Sequence, residues 1–154
     1  MRLIFVLGLL ISSLSTSAAL PLAKQQFVLK KPTPKWFGER ITLPPKGFAP
    51  DLGLKGIEEI LFAPGMFKAD QPDFFSYVFL FALEAKPKLD AKVLKKELFT
   101  YYSGLSKARI GNPNLDTSKF AVKVDTLEGT GVSPKSAINV RNYRAEIVWF
   151  EPFA

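Results

Sequence analysis

The stretch FFSYVFLFALEA, residues 74–85, constrains the fold more than any other part of this chain. One alternating set is Phe75, Tyr77, Phe79, Phe81 and Leu83; the other is Phe74, Ser76, Val78, Leu80, Ala82 and Glu84. Both sets are largely apolar, and aromatic and β-branched side chains favour a pleated surface. A chain with such a run must build a sheet around it, and the run predicts a central strand covered on both faces. A strand over 74–85 would extend roughly 40 Å, so a bend or bulge is expected within it.

The remaining pattern fills in that sheet. GIEEILFA at 56–63 reads as a strand, and KFAVKVDTL at 119–127 as a half-exposed one, with Phe120, Val122 and Val124 alternating against Ala121, Lys123 and Asp125. VRNYRAEIVWF at 140–150 reads as the last strand, with Tyr143, Ala145, Ile147 and Trp149 on one face. Between them, Asp90 can cap a helix running from Ala91 to about Leu105. Val93, Leu94, Leu98, Tyr101, Tyr102 and Leu105 recur at helical spacing, and Gly104 or Gly111 can end it. The order strand, strand, helix, strand, strand with short connections predicts an α+β fold. Its antiparallel sheet would have about four to five strands, with one main helix packed on one face. Cystatin-like and ferredoxin-like arrangements both fit.

The N-terminus reads as a secretory leader over residues 1–19. Met1-Arg2 is a short basic region, LIFVLGLLI at 3–11 an apolar run, and Ser17-Ala18-Ala19 a small-x-small site for cleavage before Leu20. The apolar run is too short to span a bilayer comfortably, and no cysteine follows it for a lipid anchor. The expected location is therefore periplasmic or secreted, with no transmembrane segment after cleavage. Residues 20–52 follow as a proline-rich, basic strap in which Pro32, Pro34, Pro44, Pro45 and Pro50 forbid a helix. Only RITL at 40–43 fits a short strand there; Trp36, Phe37 and Phe48 are candidate packing anchors. Residues 53–154 make the single α+β domain.

Composition excludes several chemistries. The chain has no histidine and no cysteine. Ser-His-Asp and Cys-His nucleophilic sites are impossible, and so are the common zinc and haem sites. No cofactor is expected. Glu58 and Glu59 are adjacent on a strand and point to opposite faces, so they cannot act as one acid–base pair. GTGVSPKS at 129–136 nearly matches a phosphate loop, but Pro134 stands where the second glycine belongs and has no N–H to offer a phosphate.

Two candidate binding regions remain. Lys86, Lys88, Lys92, Lys95 and Lys96 cluster around the start of the helix, and Lys30, Lys31, Lys35, Arg40 and Lys46 lie in the strap. With a net charge of +7, these suit an anionic envelope component or an acidic protein as partner; no nucleic-acid motif is present. The bland alternative is a solvated helix face. The second region is the loop LFAPGMFKADQPDFFSY at 61–77. Pro64-Gly65 signals a turn, for which a type II form fits. Met66 and Phe67 read as anchors folded back on the core, with Lys68, Asp70, Gln71 and Asp73 facing water. Asp70 and Asp73 could contribute oxygen ligands to calcium, although the spacing lacks the dense oxygen pattern of a dedicated loop.

LPPKGFAPD at 43–51, FAPGMF at 62–67, DFFSY at 73–77, LKKELFTYYSGL at 94–105 and WFEPF at 149–153 together resemble a group of uncharacterised exported bacterial proteins. The resemblance implies export but carries over no activity, ligand or site. It also implies further chain after Glu-Pro-Phe, so that the last strand would pair with a following hairpin partner or with another chain. The leading expectation is a non-enzymatic binding domain of the bacterial envelope. One alternative is a small hydrolase or isomerase using Glu84, Glu146 and Tyr77. The other is an assembly protein pairing through its C-terminal strand.

Overall fold

The computed structural model describes residues 2–10, 28–85, 87–127, 140–150 and 152. The chain is α+β as expected, with each strand pair antiparallel. It divides into two compact units, one of residues 1–18 with 86–150, the other of residues 19–85 with 151–154. Each unit has its own three-stranded sheet.

The first unit contains strand β1 (Arg2–Leu10), helix α1 (Ala91–Ile110) and strands β5 (Ala121–Leu127) and β6 (Val140–Val148) in the sheet order β1-β6-β5. Arg2–Leu10, whose sequence reads as the apolar part of a leader, pairs with β6 from Val148 back to Val140. The cleavage site and the phosphate-loop-like segment at 129–136 lie outside the described residues.

The helix starts and stops for local reasons. Asp90 has extended backbone, and its carboxylate accepts the Val93 N–H at 2.9 Å, satisfying an amide that the first turn leaves open. Gly111 takes φ 71°, a left-handed conformation that glycine adopts without a Cβ clash. Its N–H and that of Asn112 turn back to the carbonyls of Ala108 and Lys107, closing the last turn. Gly104 is passed within the helix, which runs to Ile110 rather than about Leu105.

One side of α1 is buried through Leu94, Leu98, Tyr101 and Tyr102. Tyr102 meets the Trp149 indole edge to face at 4.8 Å, Ser106 donates to the Phe150 carbonyl at 2.9 Å, and Tyr143 donates to Leu89 O at 3.4 Å. Tyr143, Ala145, Ile147 and Trp149 are all buried, as their alternation predicts. The opposite face of the β5–β6 ladder is polar at its centre. Lys123 stands across from Glu146 and Asp125 across from Arg144, so opposite charges face each other over the ladder. In the loop before β5, the Ser118 backbone N–H, then its hydroxyl, holds the Asp116 carboxyl below the usual carboxylate range.

The second unit contains β2 (Phe37–Leu43), β3 (Gly56–Phe62) and β4 (Tyr77–Leu83) in that sheet order. Two expectations are corrected here. The central strand is β3, buried along nearly its whole length, whereas β4 is a half-buried edge strand. The run at 74–85 is also shorter as a strand than its composition suggests: residues 74 and 75 belong to a turn, and pairing within β4 begins at Tyr77. The strap joins the sheet from Phe37, three residues before the expected RITL strand, with Leu43, Ala49, Leu52 and Leu54 buried.

At the start of β3, Gly56 has φ 147°, and a Cβ there would run into the Ala82 carbonyl and approach Leu83 Cα to 2.9 Å. Both obstacles are backbone, so neither can swing aside. Gly56→Ala should therefore cost about 2–3 kcal/mol in urea unfolding, whereas Gly47→Ala, with nothing within 4 Å of its Cβ, should be close to neutral. Equal midpoints for the two variants would contradict this description of the β3 entry.

Candidate functional site

The helix carries the first candidate surface. Lys88 stands just before α1, and Lys92, Lys95 and Lys96 lie on it; all four are exposed. Positions 92, 95 and 96 follow the i, i+3, i+4 rule and so share one side, away from Leu94, Leu98 and Tyr101. Phe99 extends the same line by one turn and is 38% exposed. Lys86 lies outside the described residues. Among the described residues, Lys96 Nζ lies 3.7 Å from Oε1 of the buried Glu97, with the lysine side chain itself 72% exposed. At that length and exposure the contact leaves the ammonium accessible to another anion. Residues 86–150 hold twelve Lys and Arg against six Asp and Glu, so the positive excess is concentrated in this unit.

The strap lysines form no equivalent face. Lys30, Lys31, Lys35 and Lys46 are exposed, but Arg40 turns inward. Its Nη2 lies 2.6 Å from Glu59 Oε1, while Glu59 Oε2 accepts the N–H groups of Val28 at 2.7 Å and Leu29 at 3.0 Å. Glu59 is 3% exposed and sits opposite Arg40 in the β2–β3 register. One carboxylate thus ties residues 28–29 and β2 to the central strand. Glu58, on the other face, is fully buried between Ile41 and Phe81 in the register. The two carboxylates do point to opposite faces, and both are structural neighbours of the core.

The loop at 63–76 is a succession of turns closed at its base. Ala63 N–H bonds Ser76 O at 3.0 Å, continuing the β3–β4 ladder, and Phe75 N–H bonds Met66 O at 3.0 Å. Met66 is buried as expected, but Phe67 is 47% exposed, lying against Phe37 and Phe62 instead of entering the core. Asp73 also departs from expectation. It does not face water, because its Oδ2 accepts the Gly65 N–H at 3.0 Å across the loop. Lys68 and Asp70 are exposed, with Asp70 Oδ2 3.4 Å from Gln71 Nε2. The turn at Pro64-Gly65 is closed by Met66 N–H to Ala63 O, but Gly65 is not left-handed, so it is not type II. Glycine is required there because a Cβ would strike the Asp73 carboxylate and Gln71. Phe75 is the residue at positive φ, 53°, and its burial offsets the strain.

Rings run along one face of the second sheet. Phe37, Phe62, Tyr77, Phe79 and Phe81 succeed each other with centroids 5.2–6.4 Å apart, and Phe67 closes over the Phe37 end. This accounts for the apolar set Tyr77, Phe79 and Phe81 without β4 being central; Val78, in the other set, is exposed. Tyr77 belongs to this ladder, and Glu84 lies just beyond the far end of β4, exposed, about 23 Å along the strand at the usual rise. Glu146 lies in the other unit opposite Lys123. The structure does not bring Tyr77 and Glu84 together. An open pocket of about 530 Å3 beside β2 is lined by Arg40, Ile41, Thr42, Pro44, Pro45, Lys46, Gly47 and Phe48, a set without a carboxylate to serve as acid or base.

Glu59→Gln should destabilise the protein by about 3 kcal/mol, because it removes the buried carboxylate charge that pairs with the Arg40 guanidinium and accepts the Val28 and Leu29 amides. Limited proteolysis should then cut faster between residues 28 and 40. An unchanged cleavage rate would show that the strap is held by something other than this carboxylate.

No family model, curated protein or solved structure matches the chain.

Proposed function

We propose that the chain is exported to the bacterial envelope and acts there as a non-enzymatic binding domain that holds an anionic partner on the basic side of α1. The observation that carries this reading is the set Lys88, Lys92, Lys95 and Lys96, exposed at the start of the helix in the unit that holds the positive excess. Export rests on the leader-like residues 1–19. The non-enzymatic reading is supported by the absence of histidine and cysteine and by the separation of Tyr77 from Glu84 along β4. Charge reversal of the four lysines to glutamate should make the protein elute from a sulfated-polysaccharide column at clearly lower salt, since ionic contacts at a surface are screened over about 8 Å at physiological ionic strength. Reversal of the four strap lysines Lys30, Lys31, Lys35 and Lys46 should shift it much less. Equal shifts for the two sets would mean that net charge alone governs retention.

A second reading rests on β6. Its edge is paired with Arg2–Leu10 over the whole of Val140–Val148, so leader removal would open a strand edge able to accept a strand from a partner. A chain beginning at Leu20 should then run as a dimer or larger species in size-exclusion chromatography. A clean monomer across the concentration range contradicts that reading.

A further inference from the structure

We infer that the side of α1 carrying Lys92, Lys95, Lys96 and Phe99 docks on an anionic phospholipid bilayer, with the ammonium groups at the headgroup phosphates and the Phe99 ring at the acyl boundary. The inference rests on the reading that this face holds an anionic partner, and it names the partner.

The placement of the lysines is costly for the helix itself. The first turn contains no acidic residue and carries Lys92, near the positive end of the helix dipole; Lys95 and Lys96 follow in the second turn. Lys92 is three and four residues from the other two, so their charges repel along one side. Asp90 at the N-cap places one carboxylate at this end; an external layer of phosphates would relieve the lysine repulsion that remains.

Phe99 selects the kind of anion. It is 38% exposed and one turn beyond the lysines on their side. A sulfated polysaccharide answers the charges and leaves the ring in water. A bilayer surface answers both, because phosphates lie directly above an apolar layer. The lysine stems are long enough to keep their charges at headgroup level while the ring goes deeper.

The test uses the full chain, so that any affinity of residues 2–10 for lipid is common to all variants. Co-sedimentation is measured with phosphatidylcholine vesicles with and without phosphatidylglycerol, and the same proteins are run on a sulfated-polysaccharide column. The wild-type protein should partition preferentially to the vesicles containing phosphatidylglycerol. Lys92→Glu, Lys95→Glu and Lys96→Glu together should weaken that preference by roughly a hundredfold, the combined effect of three basic groups at an anionic surface. Phe99→Ala should weaken vesicle partition by about tenfold and leave column elution unchanged. Phe99→Trp should keep partition and show a blue-shifted emission with anionic vesicles only. Column retention without preference for anionic vesicles, or vesicle partition indifferent to Phe99→Ala, overturns the lipid inference and leaves the anionic-partner reading standing. Loss of neither signal on charge reversal overturns both.

Discussion

The edge-to-face contact of Tyr102 with Trp149 anchors the second half of α1 against the end of β6, together with the Ser106 bond to the Phe150 carbonyl. The ring pair contributes beyond simple burial, by about 1 kcal/mol for a well-formed aromatic contact. Leu94, Leu98 and Tyr101 are buried beside it. Tyr102, Ser103 and Ser106 continue the line of Lys92, Lys95, Lys96 and Phe99 and are buried, so the exposed basic side is confined to the first half of the helix.

Much of this unit was legible in the sequence because its determinants are local. Asp90 as cap, Gly111 as terminator, the 3.6-residue repeat of α1 and the two-residue repeat of β6 each involve residues a few positions apart. The second unit was less legible because its determinants join distant positions. Alternation in 74–85 gives two apolar faces, but it cannot say that β3 lies between β2 and β4. The Pro64-Gly65 pair suggests a backbone requirement for glycine, but the requirement is one of space, set by Gln71 and Asp73 across the loop. The sequence suggests Phe67 as a core anchor, yet it lies half-exposed against the rings of Phe37 and Phe62.

Glu59 is the residue whose role the sequence signalled without specifying. Two adjacent carboxylates inside GIEEILF are out of place in a buried strand, since a buried charge needs a partner. That much follows from the residues alone. The partners, the Arg40 guanidinium and the Val28 and Leu29 amides, come from segments 19 to 31 positions away. Two of the carboxylates, Glu59 and Asp73, are engaged in holding the strap and the loop. The exposed lysines of α1, which look least specialised, are the ones proposed to meet a partner.

Lysine footprinting tests the central claim most directly. The protein is labelled with a small amine-reactive reagent, with and without anionic vesicles, and modification is read at each lysine by mass spectrometry. The account predicts protection at Lys92, Lys95 and Lys96, with Lys30, Lys31 and Lys35 labelled equally in both conditions. Protection at the strap lysines while the helix lysines stay reactive would contradict it.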